Sequence, residues 1–331
     1  MKHLLTADWH LKHKHPFSLM VNGKMWDRVC EEKLNTLNKL PAIAKKLSVD
    51  DVIIAGDIFD TSNPPEALKT EFVKIIQAFE CPVYVITGRP GDHDYTSPKN
   101  FVLMDIRQAM AANDNVYIHD SNFMPLTKGV LIYHDMLEGI SEFYKNVVKL
   151  SDEKFQPFQT ILMGDYHAHH HVKFGKKFFI YPGPPFPTRY GENYHGVVVI
   201  DTDKEGRTTS HKYYKLKTYA FLDSTSLKVV PELAVPYVMR YSLTVPSQEI
   251  PVTLRACEDR RQSLLSGEDC DPNCMDVIWK VKTEKVLVDE NGDEIEDASL
   301  KEVCLGYIEK NSGKLKKKAA LLFQKLEKAV E

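Results

Sequence analysis

The sequence predicts a layered α/β domain followed by a smaller α+β unit, and three observations carry that reading. Short apolar runs recur through the first two hundred positions. Amphipathic helical patterns separate the early runs, which is the strand, helix, strand grammar of a layered sheet. From about Thr218 the rhythm changes to longer alternating runs, split by Pro246, Pro251 and the stretch SGEDCDPNC.

Taken in order, the predicted strands cover residues 3–6, 51–55, 83–87, 116–119, 130–133, 160–163 and 197–200. The predicted helices cover 26–40, which Pro41 interrupts, then 42–47, 65–79 and 101–112. In such sheets the loops beyond the carboxyl ends of the strands converge on one rim, so functional groups are expected there. Further on, residues 237–245 and 276–288 alternate as strands do, with a turn over Asp289, Glu290, Asn291 and Gly292. Residues 300–330 read as helix interrupted near Asn311 and Gly313. Seven lysines and a single acid, Glu327, lie in 310–330, with Leu315, Ala319, Leu322, Phe323, Leu326 and Val330 close to helical spacing. One face is apolar and the other basic. The expected division is therefore 1–217, 218–299 and 300–331.

A chain of 331 residues, 43% hydrophobic and 27% charged, can bury a full core. Its net charge of −3 excludes a protein basic all over, so a nucleic-acid partner would meet a local basic surface. The six cysteines, at 30, 81, 257, 270, 274 and 304, form no dense framework and predict reduced thiols in a cytoplasm-like compartment. Cys270 and Cys274 lack the second ligand pair of a zinc site. Asp8 falls too early for a secretory apolar region, and no apolar stretch approaches the ~20 residues of a membrane span.

Five polar clusters each follow a predicted strand. They are Asp8 and His10 in TADWHL, Asp57 in IAGDIFD, Asp92 and His93 in GDHD, His134 in LIYHD, and Asp165, His167 and His169 in MGDYHAHHH. Carboxylate and imidazole together suit manganese, iron, zinc or magnesium, and the absence of thiolates argues against a structural zinc cage. The set has the chemistry for two ions, with the carboxylate of Asp57 as bridge. Such a pair, about 3.5–4 Å apart, polarises a phosphate and supplies hydroxide for in-line attack. Gly56, Gly91 and Gly164 precede the clusters, as tight strand-to-loop turns require. A single Asp or His after a strand is more often a cap, a turn former or a solvated group, so the weight lies on the five together. His13, His15, His119, His170, His171, His195 and His211 are read as structural or surface residues. Asp60 and Asp94 are read as acceptors that orient ligand histidines.

The order D-x-H, GD, a GNHD-like box, a lone His and a G-x-x-H-type box resembles that of the calcineurin-like metallophosphoesterases. Within them the chain is similar to the SbcD nuclease branch, the bacterial and phage counterpart of the eukaryotic double-strand-break repair nuclease. FIYPGPPFPTRYGENYHGVVVID, residues 179–201, matches that branch's Tyr, PGS-like turn, acid and final strand. The short length and compact C-terminal region look most like phage-encoded recombination endonuclease subunits. The resemblance is specific over 1–201 and loose beyond. It implies two mixed β-sheets flanked by helices, the metallophosphoesterase sandwich, with a small α+β capping domain over 218–299 that binds DNA.

Carried onto this chain, the resemblance makes Asp8 and His10 ligands of one ion, Asp57 the bridge, and Asp92 and His134 ligands of the second. His93 would steer or protonate the leaving oxygen. The chain departs from the pattern twice. Asp92 replaces the usual Asn, which adds negative charge beside the cations. GDYHAHHH replaces GHxH, so the last ligands are either Asp165 with His167 or His167 with His169. Strand length favours the first pair and the chemistry of two imidazoles the second. The implied activity is a manganese-dependent DNA phosphodiesterase, exo- or endonuclease, in double-strand-break repair, recombination and replication. Magnesium or iron fits the same ligands. The implied partners are DNA, an SbcC-type, SMC-like ATPase held by residues 300–331, and a second copy of the chain through 101–112. The implied setting is the cytoplasm, that of the host for a phage protein. A solvated basic face for the tail, a phosphatase or cyclic-nucleotide phosphodiesterase on the same scaffold, and a scaffold without catalysis remain alternative readings.

Overall fold

Two sheets stack face to face, and the side chains of each central strand alternate between the shared interior and an outer apolar layer. The computed structural model describes residues 1–11, 24–61, 63–89, 106, 114–140, 147–189, 192, 195–229, 233–246, 249–267, 271–283, 287–288 and 294–295. In chain order the elements that build the sandwich are β1 (Lys2–Thr6), α1 (Lys24–Leu37), α2 (Leu40–Leu47), β2 (Asp51–Ala55), α3 (Glu66–Gln77), β3 (Val83–Ile86) and β4 (Val116–Ile118). There follow β5 (Phe123–Thr127), β6 (Val130–His134), β7 (Thr160–Gly164), β8 (His170–Phe174), β9 (Lys177–Tyr181), β10 (Gly196–Thr202) and β11 (Thr208–Lys215).

The first sheet has the order β11-β10-β1-β2-β3-β4 and the second β5-β6-β7-β9-β8. Strands β1 to β4 run parallel, with β10 and β11 antiparallel at one side. In the second sheet β6, β7 and β9 are parallel, and β5 and β8 are antiparallel edges. Successive residues of a strand point to opposite faces. In the first sheet Leu4, Val52, Ile54, Val83 and Val85 therefore pack under the helices with Leu37, Leu40, Phe72 and Ile76. Leu5, Ile53, Ala55, Ile86, Val198 and Ile200 face inward and meet Val130, Ile132, Leu162, Phe178 and Ile180 of the second sheet. The far face of that sheet carries Leu131, Tyr133, Ile161, Met163, Phe179 and Tyr181 against Phe155 and Phe158. Burying each such side chain contributes about 1.5–3 kcal/mol, so slipping any central strand by one residue is prohibitive.

All seven expected strands are present: β1, β6 and β7 are one residue longer than expected and β10 three, β2 matches, and β3 and β4 are one residue shorter. Pro41 does not interrupt a helix. It lies in the first turn of α2, where a missing N–H costs nothing. Strands β5, β8, β9 and β11 go beyond the sequence expectation. The β8 stretch HHVKF and the β11 stretch TTSHKYYK are sheet edges that bury little and so lack the apolar run by which strands are found.

Beyond Lys215, strands β12 (Ala220–Ser224), β13 (Tyr237–Val245) and β14 (Cys274–Thr283) form a sheet of order β12-β13-β14. A helix, Ile250–Ser266, occupies the stretch expected to be long loop. Pro251 is its second residue, a tolerated position, so this proline does not act as a breaker. The expected strand over 276–288 is instead β14 followed by a separate short strand, Leu287–Val288, paired with Glu294–Ile295. The chain divides into two compact units, the first of residues 1–224, 228–240 and 260–278 and the second of 225–227, 241–259 and 279–331. Among the described residues no helix is long and apolar enough to cross a membrane. Cys81 and Cys257 are free thiols, and Cys270 and Cys304 lie outside the described residues.

Candidate metal centre

The loops after β1 and β2 stay in step past the ends of their strands. The Asp8 N–H donates to Gly56 O at 3.1 Å, the His10 N–H to Asp57 O at 2.9 Å and the Leu11 N–H to Ile58 O at 2.8 Å. This pairing holds Asp8 and His10 beside Asp57. His134 ends β6 in the second sheet, and Asp165 and His167 follow β7. Four parallel strands from two sheets thus deliver their carboxyl ends to one rim.

The backbone bears the cost of that convergence. Among the described non-glycine residues, positive φ occurs at Asp8 (56°), His10 (41°), Asp57 (50°), Asp165 (93°) and Ser48 (51°). Ser48 caps α2, but the other four belong to this rim. Left-handed backbone at a side-chain-bearing residue costs of order 1–3 kcal/mol and persists where the surroundings impose it. Gly56 and Gly164 make the approach possible. A Cβ on Gly56 would strike the His134 ring, and one on Gly164 would strike the Ala55 carbonyl as well as His134.

Two triads place their ligand atoms within 4.8 Å of one another, Asp8 with His10 and His167, and Asp8 with Asp57 and His134. Asp57 turns one oxygen toward each, with Oδ2 3.5 Å from His10 Nε2 and Oδ1 3.5 Å from His134 Nε2. His134 Nδ1 donates to Ala55 O at 2.6 Å, which fixes the tautomer whose Nε2 can accept a cation. His10 Nε2 and His167 Nε2 approach to 3.0 Å. Asp8 Oδ1 accepts the Asp165 N–H at 2.9 Å, while the buried Oδ2 has no hydrogen-bond partner. A buried carboxylate oxygen without a donor, on a residue that meets imidazoles in both triads, is the environment a divalent cation satisfies. The residues present therefore fit the metal.

Electrostatics point the same way. Burial pushes His10 down to about 4 against the attraction of Asp57, so its imidazole is neutral and able to ligate. Burial works against a proton on His134 too, but Asp57, Asp8 and Asp165 together raise it well above the ordinary range. That excess of negative charge is what a cation would neutralise in place of the proton.

Neither triad includes Asp165 or His169. Asp165 Oδ2 lies 3.5 Å from Arg89 Nη1. His169 Nδ1 donates to Tyr181 O at 2.9 Å, and its ring stacks on Tyr213 at 4.7 Å. Asp60 Oδ1 lies 3.3 Å from His10 Nδ1. Asp92, His93 and Asp94 lie outside the described residues. Two residues of this neighbourhood escape the sequence reading. Lys33 of α1 is buried, donates to His10 O at 3.0 Å and sits 5.1 Å over the Phe186 ring. Glu192 binds His167 Nδ1 at 2.7 Å. The acid in RYGENYHG is visible as a motif element, but nothing in the sequence names its partner.

The fold and the centre define a phosphoester hydrolase with a divalent metal site. The chain belongs to the calcineurin-like phosphoesterase family, whose model matches residues 1–215. A curated relative, the SbcD component of the SbcCD nuclease of Bacillus subtilis (strain 168), is 33% identical over 101 residues, 29% of this chain and 24% of the relative. The match thus spans about a quarter of that protein. Among solved structures, Entamoeba histolytica Vps29 complexed with zinc aligns at 12% identity and a TM-score of 0.32, over 65% of this chain and 97% of its own. A predicted phosphoesterase from Streptococcus pneumoniae TIGR4 aligns at 13% and 0.30, over 64% and 96%.

Proposed function

We propose that the protein is a manganese-dependent DNA phosphodiesterase that acts in double-strand-break repair and recombination with an SMC-like ATPase partner. The observation that carries the reading is the pair of triads sharing Asp8, with Asp57 offering one oxygen to each side. The similarity to SbcD of a bacterial nuclease supports DNA as the substrate.

Asp8, His10, Asp57 and His167 would hold one ion, and Asp57, Asp92 and His134 the other. When bound, two such ions supply Lewis acidity toward the phosphate and acidify a water for in-line attack. The chain's own residues do the rest. Lys33 pins the His10 carbonyl and so the loop after β1. Asp60 orients the His10 ring. His93 gives its proton to the departing 3′ oxygen. Residues 218–299 bind DNA, residues 300–331 dock the ATPase, and the chain acts as a homodimer.

The test is cleavage of single-stranded and duplex DNA with manganese, with and without an SMC-like ATPase, comparing wild type, Asp57→Ala and His93→Asn. Asp57→Ala is expected to lose metal and cleavage together, and His93→Asn to keep metal and lose cleavage. Turnover of a phosphomonoester with no DNA cleavage would move the assignment to a phosphatase. Trace metal after loading would leave a scaffold.

A further inference from the structure

The Glu192 side chain, 8% exposed, is fully engaged at the edge of the centre. Its Oε1 meets His167 Nδ1 at 2.7 Å, and the Thr188 hydroxyl lies 3.0 Å from the same nitrogen. Glu192 also accepts the Thr188 N–H at 2.7 Å, the Thr188 hydroxyl at 2.9 Å, and the Arg189 N–H and Nε–H at 3.2 and 3.1 Å. A carboxylate so supplied with donors stays ionised and acts only as an acceptor. It therefore requires a proton on His167 Nδ1. In the neutral ring the lone pair is then on Nε2, the atom that approaches His10 and joins the Asp8 triad.

We infer that Glu192 is the positioning residue of the His167 half of the centre, selecting the tautomer and ring orientation in which Nε2 faces the cation. His134 is set by a different device, its bond to the Ala55 carbonyl. The two halves are thus tuned by separate groups, one charged and one neutral. Losing Glu192 should weaken one ion and spare the other. This inference rests on the two-ion reading for its metal readout only.

The experiment measures manganese stoichiometry and affinity by equilibrium dialysis for wild type, Glu192→Gln and Glu192→Ala, beside nitrogen-15 NMR of the histidine rings in the metal-free proteins at alkaline pH. Glu192→Ala is expected to lose about 10- to 100-fold in affinity for one ion, as removal of such orienting partners does, with the second unmoved. Glu192→Gln, which keeps an acceptor oxygen, should fall between. The His167 signals should pass from a single Nδ1-protonated tautomer to a mixture in Glu192→Ala. If Glu192 merely tethers residues 188–192, both variants will melt earlier with tautomer and metal affinity unchanged, and the inference is overturned. Should wild type hold no manganese, the two-ion reading fails, and the tautomer comparison alone decides the role of Glu192.

Discussion

Both rims of the sandwich bury a histidine against an aspartate, yet the two are built to different ends. At the amino ends of the strands, His3 Nδ1 meets Asp51 Oδ1 at 2.7 Å and Nε2 meets the Thr202 hydroxyl at 2.9 Å. The amino terminus donates to Thr202 O at 2.7 Å and closes the cluster. Both ring nitrogens are satisfied, and His3, Asp51 and Thr202 all sit in regular strands. At the carboxyl ends, His10 and His134 stand 3.5 Å from the Asp57 oxygens on a backbone forced into left-handed geometry. The same residue types thus make a structural clamp where their hydrogen bonds close among themselves, and a cation site where they stop short. The contrast is one of degree, since Asp51 Oδ2 also lacks a partner.

The most severe test of that contrast is Asp57→Ala against His3→Ala. Losing a carboxylate that faces both triads should remove several kcal/mol of transition-state stabilisation, about a thousandfold in phosphodiester turnover, with the fold retained by circular dichroism. His3→Ala should leave manganese binding unchanged while lowering stability in urea by about 1–3 kcal/mol, because Asp51 and Thr202 lose a buried partner. Loss of metal binding in His3→Ala would dissolve the distinction between the rims.

Gly164→Ala probes how tightly the upper rim is drawn. Its methyl group would strike the Ala55 carbonyl and the His134 ring, so overpacking should cost about 1–3 kcal/mol and weaken metal binding together. Gly139, also at positive φ but with nothing within 4 Å of an added Cβ, supplies the control. Gly139→Ala should destabilise only through its backbone and leave metal affinity alone.

The smallest effect expected is a pH dependence confined to the upper rim. Burial holds His10 at about 4 in the folded protein, whereas the unfolded chain binds that proton near the ordinary imidazole value of ~6.5. The unfolded state therefore takes up more protons as pH falls from ~6.5 to about 4, and metal-free stability declines across that window. His167 works in the opposite sense. Although its burial disfavours a proton, the Glu192 carboxylate raises its affinity, which adds stability at low pH that is lost as pH rises. Against its burial, His134 is raised by Asp57, Asp8 and Asp165 and works in the same sense as His167, so the test is a difference between proteins. His10→Gln should gain melting temperature relative to wild type as pH falls from ~6.5 to about 4.

What the chain discloses in advance follows from where side chains lie. Central strands buried on both faces, such as DVIIA and TILMG, are apolar throughout and can be read directly, although β9, KFFIY, is almost as buried and still lies beyond the sequence expectation. So can the residues that follow them, because a parallel strand ends at the rim where its next polar residue must sit. Edge strands bury little and leave no apolar run. The partners of His167 lie beyond reach for another reason, as Thr188 and Glu192 approach it only through tertiary folding across 21 and 25 positions. The left-handed backbone at Asp8, His10, Asp57 and Asp165 is likewise a product of convergence, at residue types that enter that region more readily than most but do so only where the fold imposes it.

The bond from His134 Nδ1 to the Ala55 carbonyl joins the second sheet to the first through a ring whose other nitrogen faces Asp57. One imidazole therefore serves as a rivet between the layers and as a donor to the cargo they enclose. Loading with metal should stiffen the seam itself, slowing amide exchange at the ends of β2 and β6 well away from solvent, and prying the layers apart should release the ions.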